Sequence, residues 1–363
     1  MRVVLATLAP EGGGVGRHLF DLAAGLAERG HDVRLGLRPD ARDLPEQAAA
    51  AGVPWIPLTD SLRTPADVWH LHLHNTLDTR ALPVMAGRRL LGRGARVFLT
   101  EHLPRTFRTD PSLPLDPTYP PGRKKPGAAQ VKWLMKRGQF AAARRTIVPS
   151  RGSGDFLTAA YGVPASRIAL VHNGLRPVGA PTPIDRADPL RVAVIGALTW
   201  RKGVDVLLDA RVRSTVGWHL TVIGDGPARA DLEAQAAATL PPGAVTFTGW
   251  IDDPDAALRA THVLAVPSRS ESFSYVTLEA MLRGRGVVAT RVDGPDELIR
   301  DGVDGHLVEP EDAPALAARL DALAADRDTV AAFGAAAYER ATTTFTVDRM
   351  VDAMIALYTA EQS

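Results

Sequence analysis

Not one cysteine occurs in the 363 residues, which excludes a disulfide framework, a thiol nucleophile and a thiolate metal centre. Lysine is almost as scarce: Lys124, Lys125, Lys132 and Lys136 lie between Arg105 and Arg145, and Lys202 stands alone in the second half. No uninterrupted apolar run approaches the roughly 18–20 residues that a membrane-spanning helix requires. Neither charge sign prevails, with 42 Lys and Arg against 41 Asp and Glu. That balance argues against a nucleic-acid partner, whose binding domains are far more basic. The exception is the segment Arg105 to Arg145, where ten cations face two acids, Asp110 and Asp116. It is proline-rich up to Pro126 and continues as a helical pattern over 128–143, with Val131, Leu134, Met135, Gly138 and Ala142 at helical spacing. The helix reads as an ordinary surface helix, and the basic 105–145 region as a candidate for peripheral contact with an anionic membrane. The opening residues have too short an apolar core for a secretion signal and run straight into glycines. They read as a first strand, so the expected location is cytoplasmic, with peripheral association at the inner membrane face as the variant.

What is present is an ordinary globular composition, 45% apolar and 23% charged, at a length that suits two domains of roughly 100–200 residues each. The first half opens with a buried-strand run, Val3 to Leu8, then Gly12-Gly13-Gly14-Val15-Gly16, then Leu19, Leu22, Ala23, Leu26 and Ala27 on one helical face. Strand, glycine loop and helix make the first unit of a doubly wound sheet. The glycines only loosely approximate G-x-G-x-x-G, and no acid cleanly closes the second strand, Val33 to Leu37, although Asp40 is near. A nicotinamide-dependent oxidoreductase therefore stands as one alternative. Val68 to Asn75 places His70, His72 and His74 on one strand face. Successive same-face positions lie roughly 6.5–7 Å apart, which argues against one ion gathering all three. The last of them is expected to line the ligand-binding edge, to which the strand Arg96 to Thr100 also delivers Glu101 and His102.

The second half restarts at Leu190 to Ile195, and a loop carrying Arg201-Lys202-Gly203 leads into a helix from Val204. Further on, the apolar run Val263 to Val266 passes through Ser268-Arg269-Ser270-Glu271-Ser272-Phe273-Ser274 into a helix that contains Glu279. Backbone N–H groups of Ser272, Phe273 and Ser274 at a helix start suit an anion. The Arg201 and Lys202 cations suit a diphosphate, and two carboxylates can each accept paired hydrogen bonds from a vicinal diol. A nucleotide-linked sugar combines those features, although either glutamate alone reads as a solvated carboxylate. Asp253-Pro254-Asp255 spells D-x-D, but it falls at a helix start and reads as a cap.

Glu271, seven residues and then Glu279, followed by Ala280-Met281-Leu282-Arg283-Gly284, resembles the E-x7-E signature of the family 4 glycosyltransferases of GT-B fold. Other segments fall in the family's order: Gly13-Gly14, His102 after a strand, Asn173-Gly174, Arg201-Lys202-Gly203, Gly249-Trp250-Ile251, and Asp293-Gly294-Pro295-Asp296-Glu297. The resemblance implies an α/β protein of GT-B type, two doubly wound Rossmann-like domains facing across a cleft. Residues 1–175 would form the acceptor domain with a C-terminal helix over 345–360 returning to it, 176–189 a linker, and 190–344 the donor domain. It further implies transfer of a sugar from a nucleoside-diphosphate sugar to a hydroxyl on a carbohydrate, lipid-linked or small-molecule acceptor. Anomeric configuration would be retained, with no metal and no cofactor beyond the donor.

The catalytic residues so implied are His102, Arg201, Lys202 and Glu271. Arg201 and Lys202 would stabilise the departing diphosphate, Glu271 would orient the sugar hydroxyls, and His102 would support the sugar near the reacting carbon. Donor-binding residues would be Gly13, Gly14, Gly249, Ile251, Ser272, Phe273, Ser274, Val276, Thr277 and Glu279, the last on the ribose. Arg17, His18, His74 and Asn173, with the basic loop, would face the acceptor. The sequence departs from the family at Ser272 and Ser274, where glycine is common, so hydroxyls stand where backbone usually approaches the donor. A sugar-nucleotide epimerase, using the same cradle without an acceptor, is the second alternative.

Overall fold

Strands buried on both faces read as continuous apolar runs, not as alternating ones, and the runs at Val3–Ala6, Val263–Val266 and Val287–Ala289 are buried without interruption. A computed structural model of the chain describes residues 1–73, 78, 80–91, 94–102, 127–177, 179–185, 189–251 and 253–360, with backbone only for 127–130 and 132. The chain divides into two compact units, one built from residues up to 174 together with those from 347 onward, the other from 175–346.

Among the described residues of the first unit seven strands pair in parallel: β1 (Arg2–Thr7), β2 (Asp32–Leu37), β3 (Trp55–Pro57), β4 (Val68–Leu73), β5 (Arg96–Glu101), β6 (Arg145–Val148) and β7 (Ile168–Leu170). Their order is β3-β2-β1-β4-β5-β6-β7, so the winding reverses between β1 and β4. Among the described residues of the second unit six parallel strands, β8 (Leu190–Ile195), β9 (Trp218–Ile223), β10 (Val245–Gly249), β11 (Val263–Val266), β12 (Gly286–Thr290) and β13 (Gly305–Val308), run in the order β10-β9-β8-β11-β12-β13. Here the reversal lies between β8 and β11. In such sheets ligands bind beyond the carboxyl ends of the strands at the reversal, and the loops after β8 and β11 are the ones that carry Arg201-Lys202 and Glu271.

The final helix, Val347–Ala360, packs on the first unit: Arg29 pairs with Asp348 and Asp352 at 3.0 and 2.8 Å, and the buried Tyr358 hydroxyl lies 2.6 Å from His70 Nδ1. Within the second unit, Arg259 and Arg285 donate to Thr182, and Asp185 pairs with Arg191 and His262. The segment read as a stiff linker is therefore anchored to the second sheet.

Two other expectations change. The helix over 127–142 does not bury Val131 and Leu134, which are 56% and 59% exposed. Its inward side carries Lys136, Gln139 and Phe140, because Lys136 forms a buried ion pair with Glu101 and Gln139 donates to the Asp78 carbonyl. Burial pushes the Glu101 carboxyl up and the Lys136 ammonium down, each partly opposed by its partner. A polar inward face held by a buried pair is invisible to a count of apolar spacing. The glycine cluster, likewise, is not a loop before the helix but its first turn: the helix is Gly13–Glu28, with Gly13 at φ +57°. His74 and the loop over 104–126 lie outside the described residues.

Candidate active site

In the second unit the chain leaves β8, makes a single 3-10 turn at Trp200–Lys202 and enters the helix Val204–Arg213 through Gly203. Gly203 has φ +64°, and a Cβ there would sit 2.0 Å from the Pro267 carbonyl oxygen. Only glycine lets the cation turn press against the exit of β11. That approach brings Arg201 and Lys202 onto the Glu271 carboxylate, with Lys202 Nζ to Oε1 at 2.7 Å and Arg201 Nη1 to Oε2 at 3.2 Å. Ser268 Oγ donates to Oε1 at 2.9 Å, and Arg201 Nη1 also donates to the Ser270 carbonyl at 2.8 Å. Burial alone would push the Glu271 carboxyl up. The charges of Lys202 and Arg201, helped by hydrogen bonds from Lys202 and Ser268, overcome it and hold the group at about 2. A carboxylate so acidic is a hydrogen-bond acceptor at neutral pH, not a proton acceptor.

Arg269 braces this arrangement, and no sequence signal singled it out. Its backbone N–H donates to the Arg201 carbonyl at 2.8 Å, and its guanidinium donates to the Trp200 carbonyl at 2.6 Å while lying over the Trp200 ring, 4.5 Å from its centre. The same guanidinium grips Asp205 with two hydrogen bonds, 2.8 and 2.6 Å, and pairs with Glu311. The turn that carries both cations is thus held from the β11 loop. Thr290 fixes the start of that loop by donating to the Ser268 carbonyl.

The helix after Glu271 is Tyr275–Met281, and Ser274 precedes it at φ 71°, ψ 80° without a side-chain cap; its hydroxyl lies 2.9 Å from that of Thr277. Seven residues make a small dipole, so attraction for a diphosphate has to come chiefly from the cations. Phe273 is buried, edge-on to Phe345 and Tyr275. The Asp293-Gly294-Pro295 turn closes on its backbone: a Cβ on Gly294, at φ +83°, would lie 2.4 Å from Phe273 Cα.

Profiles of two families match the chain, "Glycosyltransferase Family 4" over residues 12–177 and "Glycosyl transferases group 1" over 189–326. The chain belongs to the family 4, group 1 glycosyltransferases. Among curated relatives, it is 32% identical over 171 residues to the lipopolysaccharide core biosynthesis glycosyltransferase LpsE of Rhizobium meliloti, covering 47% of this chain and 50% of that protein. To sulfoquinovosyl transferase SQD2 of Arabidopsis thaliana it is 29% identical over 240 residues, covering 61% and 46%. The chain thus spans about half the length of these two relatives. Glycogen synthase of Mycobacterium tuberculosis aligns over 96% of this chain and 91% of its own length at 25% identity. Among solved structures, Anabaena Alr3699/HepE in complex with UDP superposes with a TM-score of 0.80 at 19% identity, covering 99% of this chain and all of that one. The apo lipopolysaccharide outer core galactosyltransferase WaaB gives 0.72 at 17%, covering 98% and 100%. The fold is two-domain, Rossmann-like GT-B.

Within that family frame, the residues read from sequence fall into two groups. In the second unit Arg201, Lys202 and Glu271 converge, with Ser272 and Ser274 in the same loop and Glu279 half-buried in the following helix. Thr277 is fully buried with its hydroxyl against Ser274, and Val276 leans on the core, so these two side chains support the loop. Gly249 ends β10 at φ +72°, and Ile251 is half-buried beyond the exposed Trp250. In the first unit Gly13, Gly14, Arg17 and His18 share the first turns of one helix, and Arg17 lies 4.0 Å from Asp21. His102 lies 3.3 Å from His72, Nε2 to Nδ1, and edge-on to His18. The sequence missed the meeting of these three rings, because His18, His72 and His102 are remote in the chain. It also expected same-face strand histidines to stay apart, whereas the rings of His70 and His72 lean to a centre separation of 4.0 Å. Asn173 is buried beside His18.

Proposed function

We propose that the protein transfers a glycosyl unit from a nucleoside-diphosphate sugar to a hydroxyl acceptor, with retention of anomeric configuration and without a metal in the transfer step. The second unit carries the donor site and the first the acceptor site. The observation that carries this reading is the cluster in which Arg201 and Lys202 share one ionised, buried carboxylate, Glu271. As the glycosyl–phosphate bond breaks, negative charge grows on the β-phosphate, and two cations already held in place stabilise it without reorganising. Glu271, too acidic to act as a base, accepts hydrogen bonds from the sugar hydroxyls, and Glu279 from the ribose. Gly249 and Ile251 border the nucleobase, while backbone N–H groups of Ser272, Phe273 and Ser274, with Gly13 and Gly14, approach the diphosphate. His102 supports the sugar, and Arg17, His18 and Asn173 serve the acceptor side.

Supplying a panel of nucleotide-sugars with and without acceptors, and reading products by mass spectrometry and the new linkage by NMR, tests the reading. Acceptor-dependent product with the donor's anomeric configuration is expected. Conversion of a donor into its epimer without acceptor would replace transfer by epimerisation.

A contact with an anionic membrane is supported by Val131 and Leu134, exposed on the helix Gly127–Ala142 of the basic region, and by Leu90 and Leu91, exposed on the adjoining helix Ala81–Leu91. No helix among the described residues is long and apolar enough to cross a membrane. Cosedimentation with anionic but not neutral vesicles is the expected behaviour.

A further inference from the structure

Three imidazoles meet in the first unit where the sheet reverses its winding. His18 comes from the helix after β1, His72 from β4 and His102 from just beyond β5, and one ring nitrogen of each lies within 4.8 Å of the other two. His18 and His72 are almost completely buried. Burial pushes the His18 ring down to about 4, with Asn173 opposing the shift, and lowers His72 well below the ordinary range. A neutral imidazole offers one ring lone pair to an ion. Asn173 interacts with the His18 ring, but among the described residues neither ring nitrogen of His18, nor Nε2 of His72, has a partner in full hydrogen-bond geometry. A buried polar atom left unsatisfied is destabilising. An ion seated among the three rings would satisfy one of the two His18 nitrogens.

We propose that His18, His72 and His102 together bind one divalent cation of the zinc class. Three imidazoles, with no carboxylate grouped with them among the described residues, select borderline ions such as Zn2+ or Co2+ over Mg2+ or Ca2+, which want oxygen. The spacing fits. Zn–N bonds of about 2.0–2.1 Å at tetrahedral angles set the nitrogens about 3.3 Å apart, and His72 Nδ1 and His102 Nε2 stand at 3.3 Å. Bringing the His18 nitrogen in from within 4.8 Å needs a displacement of about 1.5 Å to reach the same bond length, a ring rotation at the start of a helix. Three protein ligands leave a fourth position open for water or a substrate oxygen. Strand spacing gives no objection, because each ligand comes from a different element.

This inference goes beyond the transferase reading and does not depend on it. Because the ion occupies His102, however, Zn2+ is expected to slow transfer where His102 serves the sugar. The test is calorimetric titration of Zn2+ into tag-free, chelator-treated full-length protein, with Co2+ absorption as a second probe. The expected results are saturable binding of one ion and an intense tetrahedral Co2+ band. Affinity should fall at least tenfold in His72→Ala and in His18→Asn, since loss of even a ligand's supporting partner costs roughly 10–100-fold. Circular dichroism shows whether each variant is folded, and His219→Ala, in the second unit, should bind like the parent. No saturable binding by the parent, or binding undiminished in both folded variants, would overturn the site while leaving glycosyl transfer untouched. Loss of transferase activity with metal binding intact would do the reverse.

Discussion

Replacing Glu271 by glutamine removes the carboxylate charge with which both Arg201 and Lys202 pair, and the size of the effect follows from the site. Glu271 titrates at about 2 in the folded chain against 4.5 for an unperturbed glutamate, and each unit is worth about 1.4 kcal/mol. The ionised form therefore contributes on the order of 3 kcal/mol at neutral pH. Because the folded value is depressed, that contribution is complete above about 4.5 and is lost as the pH falls toward 2. Glu271→Gln should accordingly melt about 5–10 °C below the parent at pH 7, and the gap should close as acid protonates Glu271 in the parent. A nucleoside diphosphate supplies a substitute anion to the same two cations, so it should raise the melting temperature of the variant more than that of the parent. Thermal melts at pH 7, 5 and 3, with and without nucleoside diphosphate, read all of this. A variant as stable as the parent at pH 7, or a gap unchanged at pH 3, would refute the assignment of Glu271 as counter-ion to the pair.

Arg269→Leu removes the brace from the cation turn without touching the donor, and a displacement of about 1 Å at Arg201 and Lys202 should lower kcat roughly a hundredfold, with the parent's circular dichroism retained. Gly294→Ala forces a Cβ to within 2.4 Å of the Phe273 backbone and adds left-handed strain of about 1–3 kcal/mol. Both stability and donor turnover should fall, in urea denaturation and steady-state assays respectively.

The parallel sheets and the order of the site loops were legible because doubly buried strands leave uninterrupted apolar runs, such as Val263–Val266 before the Glu271 loop. Glu271, Arg201 and Lys202 were legible through motif order. Arg269 was not, since one arginine among many in the sequence gives no hint of a grip on Asp205, Glu311 and Trp200. The inward face of the Gly127–Ala142 helix was misread because a buried Lys136–Glu101 pair looks like surface charge. Ser274, where the family often has glycine, does adopt left-handed backbone with φ 71°, a strain that composition cannot reveal.

Calorimetric titration of a nucleoside diphosphate into the parent and into Lys202→Ala tests the donor cradle most directly, with the unphosphorylated nucleoside as the comparison ligand. A charge-assisted hydrogen bond of about 1.5–3 kcal/mol is lost, so the diphosphate should bind the variant roughly 10–100-fold more weakly, while the nucleoside binds both proteins alike. Equal affinity of the two proteins for the diphosphate would contradict the claim that this lysine, with Arg201, holds the donor by its phosphates.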